Sequence, residues 1–336
     1  AGPALVTRLD RPSDEVECRG STDPVAGVLT AREVPLGGPR AMTVRRTLPQ
    51  RERTMIGAWC FVDHYGPDAV AETGGMTVAP HPHTGLQTVS WLFTGEIEHR
   101  DSAGHHAMVR PGELNLMTAG RGISHSEVST ADTEVLHGAQ LWVALPEAER
   151  GIEPGFRHFV PDPVEGAGWT ARVFLGSLLG STSPVPTFSP LVGAELLLEP
   201  GTSLDLDVDP THEHGLLLDT GSLRVDGATA GPSDLLHVPL GRTTLRLVAG
   251  DDPVRALVLG GEPLGEAIVM FWNFIGSSHD DVAAYRAEWQ AQITRDGEVV
   301  GDSQEVAEGR FGTVVGDHLA PIPAPVLPNA RLKERR

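Results

Sequence analysis

The chain has 336 residues, 40% of them hydrophobic, so it is globular in composition and long enough for two ordinary domains. Its formal net charge of -19 repels phosphate backbones, and direct binding to nucleic acid is not expected. No apolar run approaches the ~20 residues of a membrane-spanning helix, and the N-terminus lacks a signal-peptide pattern. The two cysteines make no disulfide framework, which indicates a cytoplasmic protein.

The N-terminal half changes character after a polar start. Residues 1–25 are rich in turn-forming residues, and we expect an N-terminal arm that is only partly ordered. Short β-favouring runs then alternate with Gly, Pro and Asp turns at intervals of about 8–12 residues, which is typical of an antiparallel barrel or sandwich. We therefore predict a first barrel over residues 26–150. Its clearest strand candidates are 59–64, 87–93, 97–101, 114–117 and 135–146.

The second half repeats this pattern after a break. Residues 146–166 are rich in Pro, Gly and Glu, and they indicate a connector near the middle of the chain. Eight further strand candidates follow between residues 171 and 259. We predict a second barrel, with a helix and tail at its end, over residues 151–336.

One helix is predicted near the C-terminus. Ser278 can cap it, and Val282, Tyr285, Trp289 and Ile293 fall on one face over about four turns. We expect this face to pack on a sheet. After the helix, the Pro-rich residues 311–328 predict an extended tail that lies over the fold.

Two pairs of possible metal ligands stand in the stretch from residue 75 to 127. His81 and His83 are separated by one residue, and so are His125 and Glu127. Residues i and i+2 of a strand point to the same face, so each pair can converge on one point. Inside a barrel, two such strands would place three imidazoles and one carboxylate around one ion. That donor set suits a divalent transition metal such as Fe, Mn, Co, Ni, Cu or Zn. A single H-x-H pair in a loop usually has no such role.

Weaker candidates lie close to these pairs. Gln87 is a poor metal ligand, but on a regular strand it would face the same way as His83 and could form a hydrogen bond behind the ligands. Several other polar residues could orient the ligands or line the mouth of the site, and each could equally be a solvated loop residue. They are His64, His99, Asp101, His105 and His106.

The second half contains one similar pattern. His212 and His214 again form H-x-H, but only His237 follows as a further candidate ligand. Since a catalytic metal needs at least three ligands, we expect surface histidines near a turn and a second barrel without metal.

Longer motifs surround the ligand pairs of the first half. Residues 75–90 contain His-Pro-His-Thr-Gly-Leu-Gln-Thr-Val-Ser, and residues 110–127 contain the specific run Met-Thr-Ala-Gly-Arg-Gly-Ile. These stretches resemble the first and second cupin motifs of the pirin family, in the cupin superfamily. The resemblance spans residues ~35–290 in patches. Its weaker matches are 61–67, 140–143, 261–264 and 272–274.

The resemblance implies an all-β fold of two tandem cupin barrels, face to face, with a helix and an extended tail near the C-terminus. It implies one metal, normally iron as Fe(II), held in the N-terminal barrel by His81, His83, His125 and Glu127. The C-terminal barrel would be free of metal. A Glu that usually follows the H-x-H pair of cupins is replaced here by Gln87, which supports Glu127 as the carboxylate ligand.

The same resemblance leaves three hypotheses for function. Some pirins are flavonol (quercetin) 2,3-dioxygenases, which implies a small aromatic substrate, O2, and Glu127 as the catalytic base. Others are regulators that bind a partner protein, such as a metabolic enzyme, and sense metal or redox state. The third hypothesis is a folded bicupin with a vestigial metal site. We favour the dioxygenase and expect a cytoplasmic monomer that binds neither nucleic acid nor membrane.

Overall fold

The computed structural model of the protein describes residues 16–17, 26–36 and 42–332. Strands predominate there, as expected for β-branched and aromatic runs separated by Gly and Pro turns. The strands of the first half are β1 (Val16–Glu17), β2 (Gly27–Leu29), β3 (Arg32–Leu36), β4 (Met42–Leu48), β5 (Trp59–Ala69), β6 (Thr77–His83), β7 (Leu86–Thr94), β8 (Ile97–Asp101), β9 (His106–Val109), β10 (Leu114–Thr118), β11 (Ile123–Ser129) and β12 (Val135–Ala144).

The second half is also built mainly of strands. They are β13 (Gly155–Phe159), β14 (Val164–Gly166), β15 (Trp169–Leu175), β16 (Ser177–Leu178), β17 (Ser181–Thr182), β18 (Leu191–Leu198), β19 (Ser203–Asp207), β20 (Glu213–Thr220), β21 (Leu223–Val225), β22 (Ala228–Ala230), β23 (Leu235–Val238), β24 (Thr244–Ala249), β25 (Val254–Gly261), β26 (Ala267–Phe271), β27 (Phe274–Gly276), β28 (Thr294–Arg295) and β29 (Glu298–Val299). The helices are α1 (Val70–Thr73), α2 (His279–Ile293) and the 3-10 turns Glu147–Glu149 and Ser303–Glu305.

Each half forms a barrel from one seven-stranded and one four-stranded antiparallel sheet. In the first barrel the strand orders are β13-β10-β7-β12-β5-β4-β3 and β6-β11-β8-β9. In the second barrel they are β14-β15-β18-β25-β20-β23-β2 and β19-β24-β21-β22. The predicted all-β fold of two barrels with the same architecture is confirmed.

The two barrels exchange an edge strand. β13 pairs with β10 of the first barrel, and β2 pairs with β23 of the second. Residues 146–166, predicted to connect the barrels, also form β13 and β14, which their Pro and Gly content did not indicate. The limits 26–150 and 151–336 remain predictions for the domains. Across these limits, β13 belongs to a sheet of the first barrel and β2 to a sheet of the second.

The seven-stranded sheets pack against each other through a shared apolar core. Trp59 and Trp91 of the first barrel are fully buried there with Phe174 and Leu257 of the second. The rings of Trp91 and Phe174 are 4.5 Å apart, and the indole N–H of Trp59 donates to the carbonyl of Gly260 at 3.0 Å. Burial of such large side chains stabilises the association by ~1.5–3 kcal/mol for each one.

The C-terminal helix and tail follow the prediction. The hydroxyl of Ser278 accepts a hydrogen bond from the backbone N–H of Asp281 at 3.1 Å, which caps α2. Val282, Trp289 and Ile293 are fully buried, as their spacing predicted. The indole N–H of Trp289 donates to the carbonyl of residue 322 at 2.8 Å, which ties the tail to the helix.

The N-terminal arm is only partly described. Most of residues 1–25, including the first cysteine, lie outside the described residues. Val16–Glu17 pairs with β26 of the second half. Within residues 16–17, 26–36 and 42–332, no helix is both long and apolar enough to cross a membrane.

A buried polar cluster joins the two barrels. Asp219 of β20 lies 2.8 Å from His64 Nε2 and 2.5 Å from His137 Nε2, both on strands of the first barrel. Its second oxygen lies 3.3 Å from Arg255, and Arg45 lies 3.3 Å from His64 Nδ1. A carboxylate can only accept, so each histidine donates an Nε2–H to Asp219. The Arg255 guanidinium beside its second oxygen places positive charge next to this carboxylate.

Replacing Asp219 should loosen the junction between the barrels. Burial alone would raise the pKa of Asp219, but hydrogen bonds from His137 and His64 outweigh it and lower this pKa. Because Asp219→Asn leaves buried partners without their charge, we expect it to lower the free energy of unfolding by about 3 kcal/mol. Urea denaturation measures this. Asp205→Asn, at an exposed pair with Arg246, is the control and should change little; equal losses in both variants would contradict the expectation.

Candidate metal centre

Strand pairing brings three of the predicted ligands together. β6 and β11 are antiparallel neighbours, with His81 opposite His125 and His83 opposite Ile123. Alternation along β6 then turns His81 and His83 to one face, as predicted from their spacing. Pro80 and Pro82, which alternate with them, cannot donate to a ladder and are tolerated at positions where no N–H is required.

The three imidazoles meet at one point inside the first barrel. Their ring centroids are 4.4–5.0 Å apart, and one nitrogen from each lies within 4.8 Å of the others. His83 Nε2 and His125 Nε2 are 3.1 Å apart. This is close to the separation of two nitrogens bound to one ion at about 2.1 Å and roughly at right angles. The residues present therefore fit a divalent transition metal.

Burial keeps these histidines uncharged. It lowers the pKa of His81 to about 4, and it lowers the pKa values of His83 and His125 well below the ordinary value, with further lowering by neighbouring histidines. His81 Nδ1–H donates to the carbonyl of Ala79 at 2.8 Å, so its Nε2 carries a free lone pair. At neutral pH the site offers neutral imidazoles, which is the form that binds metals.

Glu127 lies beside this triad on β11. One of its carboxylate oxygens and one ring nitrogen from each of His99 and His125 lie within 4.8 Å of one another. The register of β11 against β6 shifts between His125 and Glu127. The Ser90 hydroxyl lies 3.2 Å from a Glu127 oxygen and 2.9 Å from the amide oxygen of Gln140. Burial raises the pKa of Glu127, against smaller lowering by His99, Ser90 and Gln140. Its role as the fourth ligand and as catalytic base stays a prediction.

The weaker candidates lie in different parts of the first barrel. His99 and Asp101 lie at the centre, as His125 Nδ1 is 3.3 Å from His99 and His99 is 3.1 Å from Asp101. Gln87 instead donates to the hydroxyl of Thr118 at 2.9 Å. His64 belongs to the cluster between the barrels, and the surface residue His106 lies 2.7 Å from a carboxylate of Glu98.

Sequence reasoning missed Ser90 and Gln140. They are opposite each other on β7 and β12 and are buried there. Buried polar residues in otherwise apolar strands need hydrogen-bond partners, and this was the available signal.

The second barrel corrects one expectation. His214 is buried on β20, and so is its neighbour Glu213, which lies 3.2 Å from His237 and accepts the backbone N–H of Gly57 at 3.2 Å. The prediction of surface histidines near a turn was wrong for His214, because β20 begins at Glu213, which is already buried between the two barrels. The interior of this barrel is filled by Leu, Val and Ala side chains. Its lack of a metal stays a prediction.

Without metal, acid should destabilise the protein steeply. The folded-state pKa values of His81, His83 and His125 lie below the unfolded value near 6.5, so the unfolded chain takes up protons first as the pH falls. Stability present above pH ~6.5 is therefore lost towards pH 4, by about 2 kcal/mol for each histidine between pH 7 and 5. Urea denaturation in a chelator measures the slope. His83→Ala should reduce it, and an unchanged slope would contradict the assignment.

Metal content should separate true ligands from neighbours. His83→Ala removes an imidazole from the triad and should abolish stoichiometric binding of Fe(II) or Ni(II). Gln87→Ala, at a buried position on the next strand, removes only the bond to Thr118 and should bind one metal ion for each chain. Elemental analysis after gel filtration measures both, and metal loss in Gln87→Ala alone would reverse this ligand assignment.

Comparison with known proteins agrees with this geometry. Residues 41–143 match the Pirin family, and residues 193–294 match the Pirin C-terminal cupin domain. A Pseudomonas aeruginosa protein, provisionally named a quercetin 2,3-dioxygenase, is 42% identical over 88% of this chain and 90% of its own length. A Caulobacter vibrioides pirin-like protein is 37% identical over 79% and 92%. The crystal structure of a quercetin 2,3-dioxygenase from Acinetobacter baumannii superposes with a TM-score of 0.81 and 35% identity, covering 91% of this chain and 97% of that one. The chain belongs to the pirin family and has its bicupin fold.

Proposed function

We propose that this chain is a metal-dependent dioxygenase that acts on flavonols of the quercetin type with O2. The observation that carries the proposal is a buried triad of uncharged imidazoles beside a buried carboxylate, Glu127, whose pKa is raised. A similar protein from A. baumannii bears the name quercetin 2,3-dioxygenase, and one from P. aeruginosa bears it provisionally. In this proposal the metal is Fe(II), and the chain works as a cytoplasmic monomer.

His81, His83 and His125 would hold the metal, with Glu127 as the fourth ligand. A divalent ion bound there would supply a Lewis acid that polarises the substrate oxygen. Glu127 would accept the proton of the flavonol 3-hydroxyl as general base. The Ser90 hydroxyl, 3.2 Å away, would keep the carboxylate in position.

Apolar side chains surround the triad and limit access of water. The rings of Phe61 and Trp142 are stacked with centroids 3.9 Å apart, and the Trp142 ring meets that of His83 edge-on at 5.2 Å. Met117 and Ile123 belong to the same buried cluster. Such surroundings strengthen electrostatic interactions with the substrate and suit a planar aromatic molecule.

Quercetin turnover under air tests the proposal. Protein of known metal content should consume quercetin, seen as loss of its absorbance, and release CO. His125→Ala should abolish turnover together with metal binding. Glu127→Gln should lower kcat by about 10²–10⁴-fold, because it removes the base. Glu113→Gln changes a carboxylate at the outer edge, paired with His158, and is the control with unchanged kcat.

The decisive contrary result is full metal occupancy without turnover of quercetin. That result would discard the flavonol reaction while keeping the metal centre. It would favour the alternative function, a regulator that binds a metabolic enzyme. In that case the affinity for the partner enzyme should differ between the metal-loaded protein and the His81→Ala variant.

A further inference from the structure

A line of polar side chains leads from the metal triad to the surface. His125 Nδ1 lies 3.3 Å from His99 Nδ1, and His99 Nε2 lies 3.1 Å from Asp101 Oδ2. His105 Nδ1 lies 3.1 Å from the same carboxylate. His125, His99 and Asp101 are buried, whereas the side chain of His105 is 38% exposed. We propose that His99, held by Asp101, is a positioning residue that fixes the tautomer and orientation of the ligand His125.

The hydrogen-bond donors along this line can be assigned in order. The Asp101 carboxylate only accepts, and its Oδ1 already accepts the backbone N–H groups of Ala103 and His105 at 3.0 Å each. Its Oδ2 therefore faces an N–H on His99 Nε2. In the tautomer that carries its proton on Nε2, His99 has a bare Nδ1, which accepts from His125 Nδ1–H. This leaves the lone pair of His125 on Nε2, the atom that faces His83 Nε2.

His99 is also fixed by packing. The strand pairing of β8 with β11 sets His99 opposite Glu127 and Asp101 opposite His125. On the other side, the Phe156 ring lies 4.8 Å from the His99 ring, inclined by 32°. Phe156 belongs to β13, the edge strand that follows the first barrel in the chain. The ring is therefore held by a strand, a carboxylate and an aromatic face, which leaves it little freedom to rotate.

Direct coordination by His99 is the competing role. His99, His125 and Glu127 do offer ligand atoms within 4.8 Å of one another. However, both nitrogens of His99 already have partners, His125 on Nδ1 and Asp101 on Nε2. Its Nδ1 faces His125 Nδ1, whereas the triad nitrogens that lie 3.1 Å apart are His83 Nε2 and His125 Nε2, so His99 supports a ligand and does not itself bind an ion at that point. Hydrogen-bond partners of this kind typically change metal affinity by roughly 10–100-fold.

Cobalt(II) binding tests this role without any need for turnover. His99→Leu and Asp101→Asn should bind Co(II) about 10–100-fold more weakly in competition with a chelator, with a shifted d–d absorption spectrum. His99→Gln should recover much of the affinity, because its amide oxygen can accept from His125 Nδ1–H. His106→Gln changes an exposed histidine on the neighbouring strand β9 and should match the parent protein.

Two results would overturn the proposal. Parent-like affinity and spectrum in both His99→Leu and Asp101→Asn would show that His125 needs no support. Loss of Co(II) binding in His99→Gln as well, with an intact thermal transition of the metal-free variant, would make His99 a ligand. The inference rests on the metal centre of the proposed function but not on its substrate, so a failure of quercetin turnover leaves this readout unaffected.

Discussion

Three imidazoles meet inside the first barrel, and the site depends on all three remaining uncharged. His83 Nε2 and His125 Nε2 lie 3.1 Å apart. Without an ion they can share only one proton, because two Nε2–H groups at this distance would point two donors at each other with no acceptor between them. A cation at this point turns opposed lone pairs into ligand bonds. The same burial that lowers the histidine pKa values raises that of Glu127, so ligands and base derive their properties from one cause.

Parts of the chain distant in sequence hold the ligand strands from outside. The hydroxyl of Ser124, next to His125, donates to the carbonyl of Phe311 at 2.8 Å. The backbone N–H of Ile322 donates to the carbonyl of Pro80, next to His81, at 2.8 Å. The C-terminal tail thus covers the outer side of both ligand strands. A displacement of the reacting groups by about 1 Å can lower the rate of an enzyme strongly. These contacts therefore let the tail help to hold the ligand strands in position.

The second barrel contributes rigidity to the first. Its interior is apolar, and its seven-stranded sheet buries Phe174 and Leu257 against the sheet that carries Ser90 and Gln140. The exchanged strand β13 adds Phe156 against His99. The first barrel therefore carries the predicted ligands, and the second barrel restrains the sheet that contains β7 and β12.

Local patterns in the sequence predicted much of this. Period-two spacing predicted that His81 and His83 turn to one face, and the Ser278 cap with its apolar face predicted helix α2. The features that the sequence did not reveal depend on the register between strands that are distant in the chain. β13 looked like a connector because its pairing with β10 is not encoded in its own residues. The position of His99 opposite Glu127 follows from the pairing of β8 with β11, which no local pattern reveals.

Anomalous diffraction from crystals of Fe(II)- or Ni(II)-loaded protein, measured on both sides of the metal absorption edge, would locate the ion. We expect one peak for each chain, within bonding distance of the Nε2 atoms of His81, His83 and His125 and of a Glu127 oxygen. A peak at His64, His137 and Asp219 in its place, or an ion that leaves any of the three triad histidines unbound, would contradict the proposed centre.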